Sequence, residues 1–308
     1  EDKPTQWEAW DIDVFYNDKQ LEADGTLESA EVVETGPVRS VVRFTRRISR
    51  SRIVQDVILE AGSRRLTFDT RVEWADESRV LLKVAFPLRV RSERARYEIQ
   101  FGHVDRPTHL NRPTDYGRFE VPAQKWADLS ESGFGVALLN DCKYGHDCRD
   151  NVLRLSLLRA PKKPDPEADV NKTHHFTYAL YPHAGTLANG VVRQGYEVNV
   201  PPEATLTKTS AGRLPPAESF FRVSAGNVVM DTVKKAEDDN ALVVRLYEAH
   251  GARGTCTLST PLDVASCRET DLMERDLGPR ALKRGRVRLT FSPFEIKTLK
   301  FYPSDAKA

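Results

Sequence analysis

Alternation of apolar and polar side chains at every second residue is the feature of this sequence that most restricts its fold. Residues 66–74 read Leu-Thr-Phe-Asp-Thr-Arg-Val-Glu-Trp, with an apolar side chain at every second position except Thr70. In an extended strand these side chains point to one face, which needs a partner layer to cover it. The same alternation, or a short β-rich apolar run, predicts further strands at residues 38–48, 52–59, 80–90, 97–101, 134–139, 152–158 and 175–181. We therefore predict an all-β fold.

Three segments carry more specific expectations. Residues 80–86 are nearly continuously apolar, which predicts a central strand covered on both faces. The chain also opens on a β-like pattern at residues 7–15. Helical periodicity is weak, and it predicts only two short turns, near residues 186–194 and 271–282.

A proline-rich stretch divides the chain. Residues 201–216 carry a Pro-Pro pair at each end of a polar segment, which is typical of a linker or of a strand crossing between domains. Beyond it, alternation predicts strands at residues 227–233, 241–247, 254–258, 286–291 and 294–301. We predict a large β-sandwich at residues 1–215 and a small C-terminal β-sandwich at residues 216–308.

Charge and cysteine content limit the partners and the compartment. The 46 basic and 45 acidic residues leave a formal net charge of +1, so no long-range field favours nucleic acid or an anionic membrane surface. No apolar run approaches the roughly 20 residues that span a bilayer, so we expect a soluble protein. The four cysteines have neither CxxC spacing nor the density of a disulfide framework, which favours a reducing, cytoplasmic setting.

The histidines are the first candidates for metal ligands. His103 and His109 stand six residues apart, and His175 and His183 flank one predicted strand. A hydrolytic zinc site needs about three protein ligands on rigid elements, and no further ligand stands at a recognisable spacing. We therefore predict no metal site in this chain and expect these histidines to make structural hydrogen bonds.

A polar, aromatic loop follows the predicted strand at residues 134–139. It contains Asn140, Asp141, Lys143, Tyr144 and Asp147. Sugar hydroxyls need donors and acceptors, and apolar sugar faces stack on rings, so these five are the candidate substrate-binding residues. Surface loops carry polar residues by default, so composition alone favours a structural role. The sequence contains no GxSxG, P-loop or CxxC motif, and composition and spacing indicate only a soluble β-sandwich protein.

Two long runs are more specific. Residues 125–131 read Lys-Trp-Ala-Asp-Leu-Ser-Glu, and residues 135–145 read Gly-Val-Ala-Leu-Leu-Asn-Asp-Cys-Lys-Tyr-Gly. Shorter runs accompany them along the chain, at residues 1–4, 9–12, 106–109, 118–122, 155–161, 164–166, 176–183, 245–248 and 293–299. In this order the runs resemble the C-terminal region of glycoside hydrolase family 38 α-mannosidases of the cytosolic and bacterial type. The resemblance covers nearly the whole chain and departs at residues 111–116.

The resemblance implies a longer enzyme that hydrolyses terminal α-mannosidic bonds by a retaining mechanism. Its N-terminal β/α barrel would supply the zinc ion and the aspartate nucleophile, so this chain would hold no catalytic residue and no cofactor of its own. The large sandwich would resemble the galactose-mutarotase-like supersandwich. The polar loop at residues 140–147 would then form part of the rim of the sugar site.

We thus expect a non-catalytic, carbohydrate-contacting portion of an α-mannosidase. Its expected partners are the catalytic barrel, an α-mannoside or oligosaccharide, and a second copy of the chain, because an exposed apolar face favours self-association. An autonomous carbohydrate-binding module is a second hypothesis, based on the same polar loop. A third is an aldose epimerase with His109 and Glu120 as acid and base, although nothing in the sequence shows that these two groups converge.

Overall fold

The computed structural model describes residues 1–20, 25–75, 78–163, 171–185, 187, 190–208, 212 and 215–304. It divides into two compact units. The first consists of Glu1–Ile99 and Val104–Pro201, and the second consists of Gln100–His103 and Pro202–Ala308. The domain boundary at residue 215 stays a prediction, and the two compact units divide at Pro201 and Pro202.

The strands of the first two sheets occupy most of the chain before Pro201. They are β1 (Thr26–Thr35), β2 (Arg39–Ile48), β3 (Ser51–Glu60), β4 (Leu66–Trp74), β5 (Leu81–Pro87), β6 (Arg94–Ile99), β7 (Gly102–Pro107), β8 (Val121–Pro122), β9 (Trp126–Ser130), β10 (Phe134–Asn140), β11 (Gly145–Arg149), β12 (Val152–Arg159) and β13 (Lys172–Ala184). The helices are a 3-10 turn at Val14–Asn17, α1 (Pro113–Tyr116) and α2 (Val191–Asn199).

Two sheets enclose the core of the first unit. The larger sheet has the strand order β1-β2-β3-β4-β13-β10-β9-β6-β7, and the smaller has the order β5-β12-β11-β8. Buried side chains from both sheets form one cluster, with Trp74, Leu129 and Phe176 from the larger sheet and Leu153 and Leu155 from the smaller. Each sheet therefore covers the apolar face of the other, as in a β-sandwich.

The second unit repeats this arrangement on a smaller scale. Its strands are β14 (Arg222–Val223), β15 (Val228–Lys235), β16 (Leu242–Glu248), β17 (Gly254–Ser259), β18 (Val264–Thr270), β19 (Asp276–Arg280), β20 (Leu282–Lys283), β21 (Arg286–Phe291) and β22 (Ile296–Pro303). They form a five-stranded sheet, β15-β16-β22-β18-β19, and a four-stranded sheet, β14-β17-β21-β20. Leu246 and Phe301 from one sheet share a buried cluster with Leu258 and Phe291 from the other.

The predicted all-β class and the small C-terminal sandwich are confirmed. The alternation at residues 66–74 is confirmed in detail, because Phe68, Val72 and Trp74 pack against the core cluster. Thr70, the exception in the pattern, is also buried, and its hydroxyl accepts a hydrogen bond from Gln55 Nε2 at 3.0 Å. No helix in the described part of the chain is both long and apolar enough to cross a bilayer.

The prediction of a central strand at residues 80–86 is wrong. In the described part of the chain, β5 lies at one end of the four-stranded sheet and pairs with β12. Leu82, Val84 and Phe86 pack against the core, whereas Lys83 on the opposite face enters a cluster of charged side chains. The apolar run at residues 80–86 therefore belongs to a strand that packs against the apolar core on one face only.

Other local predictions also need correction. Residues 7–15 form a turn instead of a strand, since the amides of Trp10 and Asp11 both donate to the Trp7 carbonyl. The turn predicted near residues 271–282 is confined to residues 271–274, where the Glu274 amide donates to the Asp271 carbonyl. It is followed by β19, whose Gly278 and Pro279 are poor helix formers. The helix predicted at 186–194 is displaced to α2, and residues 186, 188 and 189 lie outside the described residues.

Gly135 allows β10 to approach β9 and β13 closely. It pairs with Ser130 on one side and His183 on the other. A Cβ at this position would lie 2.5 Å from Ser130 Cβ and 2.5 Å from His183 Cε1, too close for either to stay in place. Gly133 in the preceding turn has open space around it.

We expect Gly135→Ala to lower the free energy of unfolding by about 1 to 3 kcal/mol through overpacking. Gly133→Ala, the matched control, should change it by less than about 0.5 kcal/mol. Urea unfolding followed by tryptophan fluorescence measures both values. Equal effects of the two substitutions would contradict the close packing at Gly135.

Candidate functional site

A cluster of charged side chains covers the outer face of the smaller sheet. We call it the Lys83 cluster, and it consists of Lys83, Glu120, Asp147 and Arg154. Lys83 Nζ lies 2.5 Å from Asp147 Oδ2 and 2.6 Å from Glu120 Oε2. Arg154 Nε lies 2.7 Å from Asp147 Oδ1. Two positive and two negative groups thus balance each other.

Two hydroxyl groups complete the hydrogen bonds of the cluster. Lys83 Nζ also donates to the Tyr16 hydroxyl at 3.2 Å, so all three N–H groups of the ammonium have acceptors. Tyr16 in turn donates to Asp147 Oδ2 at 3.3 Å, and Ser156 Oγ donates to Glu120 Oε1 at 2.8 Å.

The local electrostatics keep Lys83 charged. Burial lowers the pKa of Lys83, but the nearby carboxylates of Asp147 and Glu120 outweigh this effect and raise the pKa above its usual value. A general base of this kind would need a neutral amine, which requires a lowered pKa. The arrangement is therefore suited to holding segments together and unsuited to proton transfer.

The Lys83 cluster holds the N-terminal segment, residues 1–20, through Tyr16, and two arginines outside the cluster hold it as well. Arg159 Nε lies 2.8 Å from Asp2 Oδ2, and Arg159 Nη2 donates to the carbonyls of Glu8 and Asp11. Arg79 Nη2 lies 2.6 Å from Glu8 Oε1. These bonds hold the turn that presents Trp7 and Trp10, whose rings meet edge to face at 6.2 Å while most of their surface is exposed.

The structure separates the five candidate substrate-binding residues into buried and accessible groups. Asn140, the last residue of β10, is fully buried; its Nδ2 donates to the Gln124 carbonyl and its Oδ1 accepts from the Lys143 amide. Asp141 Oδ2 accepts a hydrogen bond from the Thr177 amide at 3.0 Å. Asp147 is buried in the Lys83 cluster. All three side chains therefore have identified structural bonds.

Tyr144 and Lys143 are the accessible members of the predicted rim. Tyr144 is 53% exposed. Lys143 is half-buried, and its Nζ lies 4.7 Å from the centre of the Phe176 ring, a geometry in which the cation is attracted to the aromatic face. Partial burial and the neighbouring Asp141 raise the pKa of the Cys142 thiol to about 11, so this thiol stays protonated at neutral pH.

Three of the histidines have structural environments. His183 Nε2 lies 2.8 Å from Asp128 Oδ1, and both side chains are fully buried. His175 pairs with Asp69 at the surface. His146 is fully buried, and its Nδ1 lies 3.2 Å from the Tyr144 carbonyl. Within the described ranges, no group of three or more His, Cys, Asp or Glu side chains is placed to hold a metal ion.

Sequence reasoning missed the residues that organise this region. Lys83 and Arg154 were not identified, and Glu120 was considered only as an epimerase base. One signal was available: Lys83 is the single charged residue within the apolar run at residues 80–86. A lysine there indicates either an exposed face or a buried ion pair, because an unpaired buried ammonium is strongly unfavourable.

The described architecture is that of an all-β protein built from two successive sandwiches. The family model "Glycosyl hydrolases family 38 C-terminal domain" matches residues 1–167, and "Glycosyl hydrolases family 38 C-terminal beta sandwich domain" matches residues 227–299. Alpha-mannosidase 2C1 of Homo sapiens is 45% identical over 308 residues, which cover 97% of this chain and 29% of that protein. Alpha-mannosidase G of Dictyostelium discoideum is 38% identical, over 96% of this chain and 28% of that protein.

A solved structure supports the fold. The crystal structure of an alpha-mannosidase from Enterococcus faecalis V583 superposes with a TM-score of 0.78 at 20% identity, over 90% of this chain and 35% of that one. The chain belongs to glycosyl hydrolases family 38, and it corresponds to the C-terminal domains of that family. It spans 29% of the length of the human relative that it matches. The resemblance stated from the sequence motifs is thereby confirmed.

Replacing Lys83 tests whether the cluster is essential for stability. Lys83→Met leaves two buried carboxylates with one cation, so we expect the free energy of unfolding to fall by about 3 kcal/mol. Lys19→Met is the matched control, since Lys19 forms an exposed pair with Glu1 at 2.8 Å and should contribute less than about 1 kcal/mol. Urea unfolding at pH 7 compares the two. Equal losses would show that the cluster is no more important than a surface pair.

His146 should make stability depend on pH. Burial lowers the pKa of His146 from 6.5 to about 4, so between these values the unfolded chain binds a proton that the folded chain does not. Its contribution is complete above about pH 6.5 and is lost as the pH falls to about 4, by about 3 kcal/mol in total.

We expect His146→Leu to flatten the pH profile of stability in this window relative to the unsubstituted chain. Urea titrations at intervals from pH 4 to pH 7.5 measure the difference. A profile for His146→Leu parallel to that of the unsubstituted chain would contradict the assignment.

Proposed function

We propose that this chain is the non-catalytic, carbohydrate-contacting C-terminal part of an enzyme that hydrolyses terminal α-mannosidic bonds. The observation that carries the proposal is the pair of family 38 C-terminal matches, in order along one chain, together with 45% identity to an α-mannosidase. The retaining mechanism, the aspartate nucleophile and the zinc ion belong, in this proposal, to the part of the enzyme outside this chain. Among the described residues no ligand set suits zinc, so no step of the reaction is assigned here.

The sugar contact is proposed to fall on the turn between β10 and β11. Three internally bonded side chains would support this contact by fixing the shape of the turn and the start of β11. They are Asn140, Asp141 and Asp147. Lys143 and Tyr144 would meet the sugar, since they offer a cation, a hydroxyl group and an accessible ring face.

The catalytic barrel is the proposed partner of the N-terminal segment. Trp7, Trp10 and Phe15 are all exposed, although the turn that holds them is fixed by Arg159 and Arg79. Rigidly held exposed aromatic rings are typical of an interface. Exposed apolar side chains on β1, including Val32 and Val33, similarly support the proposal of a homo-oligomer.

The compartment is also a proposal. All four cysteines are free thiols, although Cys142 lies at the surface, and this is the usual state of cysteines in the reducing cytoplasm. The near-neutral net charge supports the expectation that neither nucleic acid nor a membrane surface is a partner.

An autonomous carbohydrate-binding module is the second candidate, favoured by the exposure of Tyr144 on a fixed turn. Calorimetry of this chain with mannose and short mannans separates the two: measurable heat at millimolar sugar would favour the module. An aryl α-mannoside assay of the same chain with added zinc tests the claim that it is non-catalytic. Turnover comparable to that of a whole glycosidase would refute that claim.

Substitution of Tyr144 in the intact enzyme tests the sugar contact. We expect Tyr144→Ala to raise KM about tenfold with little change in kcat, as for a contact equally strong in the ground and transition states. Tyr116→Ala is the matched control, because Tyr116 on α1 is 55% exposed and lies outside the turn. Steady-state kinetics with an aryl α-mannoside measure both. Unchanged KM for Tyr144→Ala would remove this residue from the rim.

A further inference from the structure

A small, partly open cavity lies near the ends of β7 and β11, beside α1. Its lining includes Arg106 of β7, Arg149 of β11 and His109 in the loop between β7 and α1. Its volume is about 10 Å³, which is room for a single water molecule or an ion of similar size. A sugar ring is far too large for this space.

Three hydrogen-bond donors in this lining have no partner. The buried atoms Arg106 Nε, Arg149 Nη2 and, in the corresponding tautomer, His109 Nδ1 make no hydrogen bond within the described part of the chain. A buried donor without an acceptor costs about 1 to 3 kcal/mol, and more when the group is charged. Two arginines beside one cavity therefore require an acceptor that occupies it.

The carboxylates in the lining are already engaged elsewhere. Asp147 Oδ1 and Oδ2 are bonded to Arg154 and Lys83 within the balanced Lys83 cluster. Asp115 Oδ2 accepts a hydrogen bond from the Arg112 amide at 3.0 Å.

Positive charge is therefore in excess around the cavity. Apart from Asp147, which is paired in its own cluster, the charged residues of the lining are three arginines, Arg106, Arg118 and Arg149, and one carboxylate, Asp115.

Both arginines, Arg106 and Arg149, affect the electrostatics of the Tyr97 hydroxyl. Burial is the main effect and raises the pKa of Tyr97, as do Cys148 and Asp147, whereas Arg106 and Arg149 both oppose the rise. Both cations thus act on the same interior point. A negative charge placed between them would be stabilised by direct N–H donation in a medium of low dielectric constant.

We propose that this cavity binds one small inorganic anion of the size of chloride, held by Arg106, Arg149 and His109. The anion joins β7, at the edge of the larger sheet, to β11 in the smaller sheet. Binding therefore stabilises the folded first unit by RT ln(1 + [anion]/Kd), so the stabilisation rises with the logarithm of the anion concentration once this exceeds Kd. The inference does not depend on the mannosidase proposal, because it concerns only the stability of this chain.

Thermal unfolding of the 308-residue chain tests the proposal at constant ionic strength. Replacing potassium gluconate, whose anion is too large for the cavity, by potassium chloride from 1 to 300 mM should raise Tm by about 2 to 6 °C. Arg149→Gln and Arg106→Gln should abolish this rise. Arg89→Gln, which removes an arginine outside the lining, should retain it. An equal Tm in the two salts would overturn the proposal.

Crystals of the unsubstituted chain grown in bromide supply a second measurement, which does not require a folded variant. An anomalous peak between Arg106 and Arg149 is the expected result. An ordered water there, with no anomalous signal, would overturn the proposal. A peak accompanied by no chloride dependence of Tm would identify an adventitious ion only and would also overturn it.

Discussion

The smaller sheet depends on the three hydrogen bonds of one buried ammonium group. Lys83 joins its own strand β5 to Asp147 on β11, to Glu120 beside β8 and to Tyr16 in the N-terminal segment. A charge so well shielded from water is tolerated only when its partners are in place. Formation of this face is therefore cooperative, since the loss of one partner leaves the others buried and incompletely paired.

This pairing also decides where chemistry can occur. The one carboxylate that the epimerase hypothesis would use is already hydrogen-bonded, because Glu120 accepts from both Lys83 and Ser156. Charged groups on this face thus contribute to architecture, and the proposed sugar contact rests on the side chains that project from the turn, Lys143 and Tyr144. Such a division suits a domain that shapes the edge of a site whose reactive groups are supplied elsewhere.

The local sequence pattern predicted that a segment forms a strand, but it did not predict the position of that strand in its sheet. Residues 66–74 were predicted correctly because alternation directly reports a strand with one buried face. Residues 80–86 were placed wrongly, because an apolar run does not reveal how many strands lie on either side of it. The position of β5 is set by pairing with β12, about seventy residues further along the chain.

The candidate site shows the same limit. The polar loop was located from its composition, but whether a polar side chain faces solvent or bonds internally depends on residues far away in sequence. Asn140 bonds to the Gln124 carbonyl and Asp147 to Lys83, and neither partner is suggested by the loop itself. The motif runs identified the family because they match its sequence. They do not show which distant residues are in contact.

The attachment of the N-terminal segment has a consequence for the order in which the molecule is assembled. Tyr16 donates a hydrogen bond to Asp147, which lies 131 positions later, and Arg159 donates one to Asp2, which lies 157 positions earlier. On the ribosome the segment emerges before β12, yet its binding surface is complete only after β12 has been synthesised. Long loop closures of this kind are slow. The N-terminal segment therefore lacks its docking surface on the first sandwich until β12 has been made, and a chaperone would have that interval in which to engage Trp7 and Trp10.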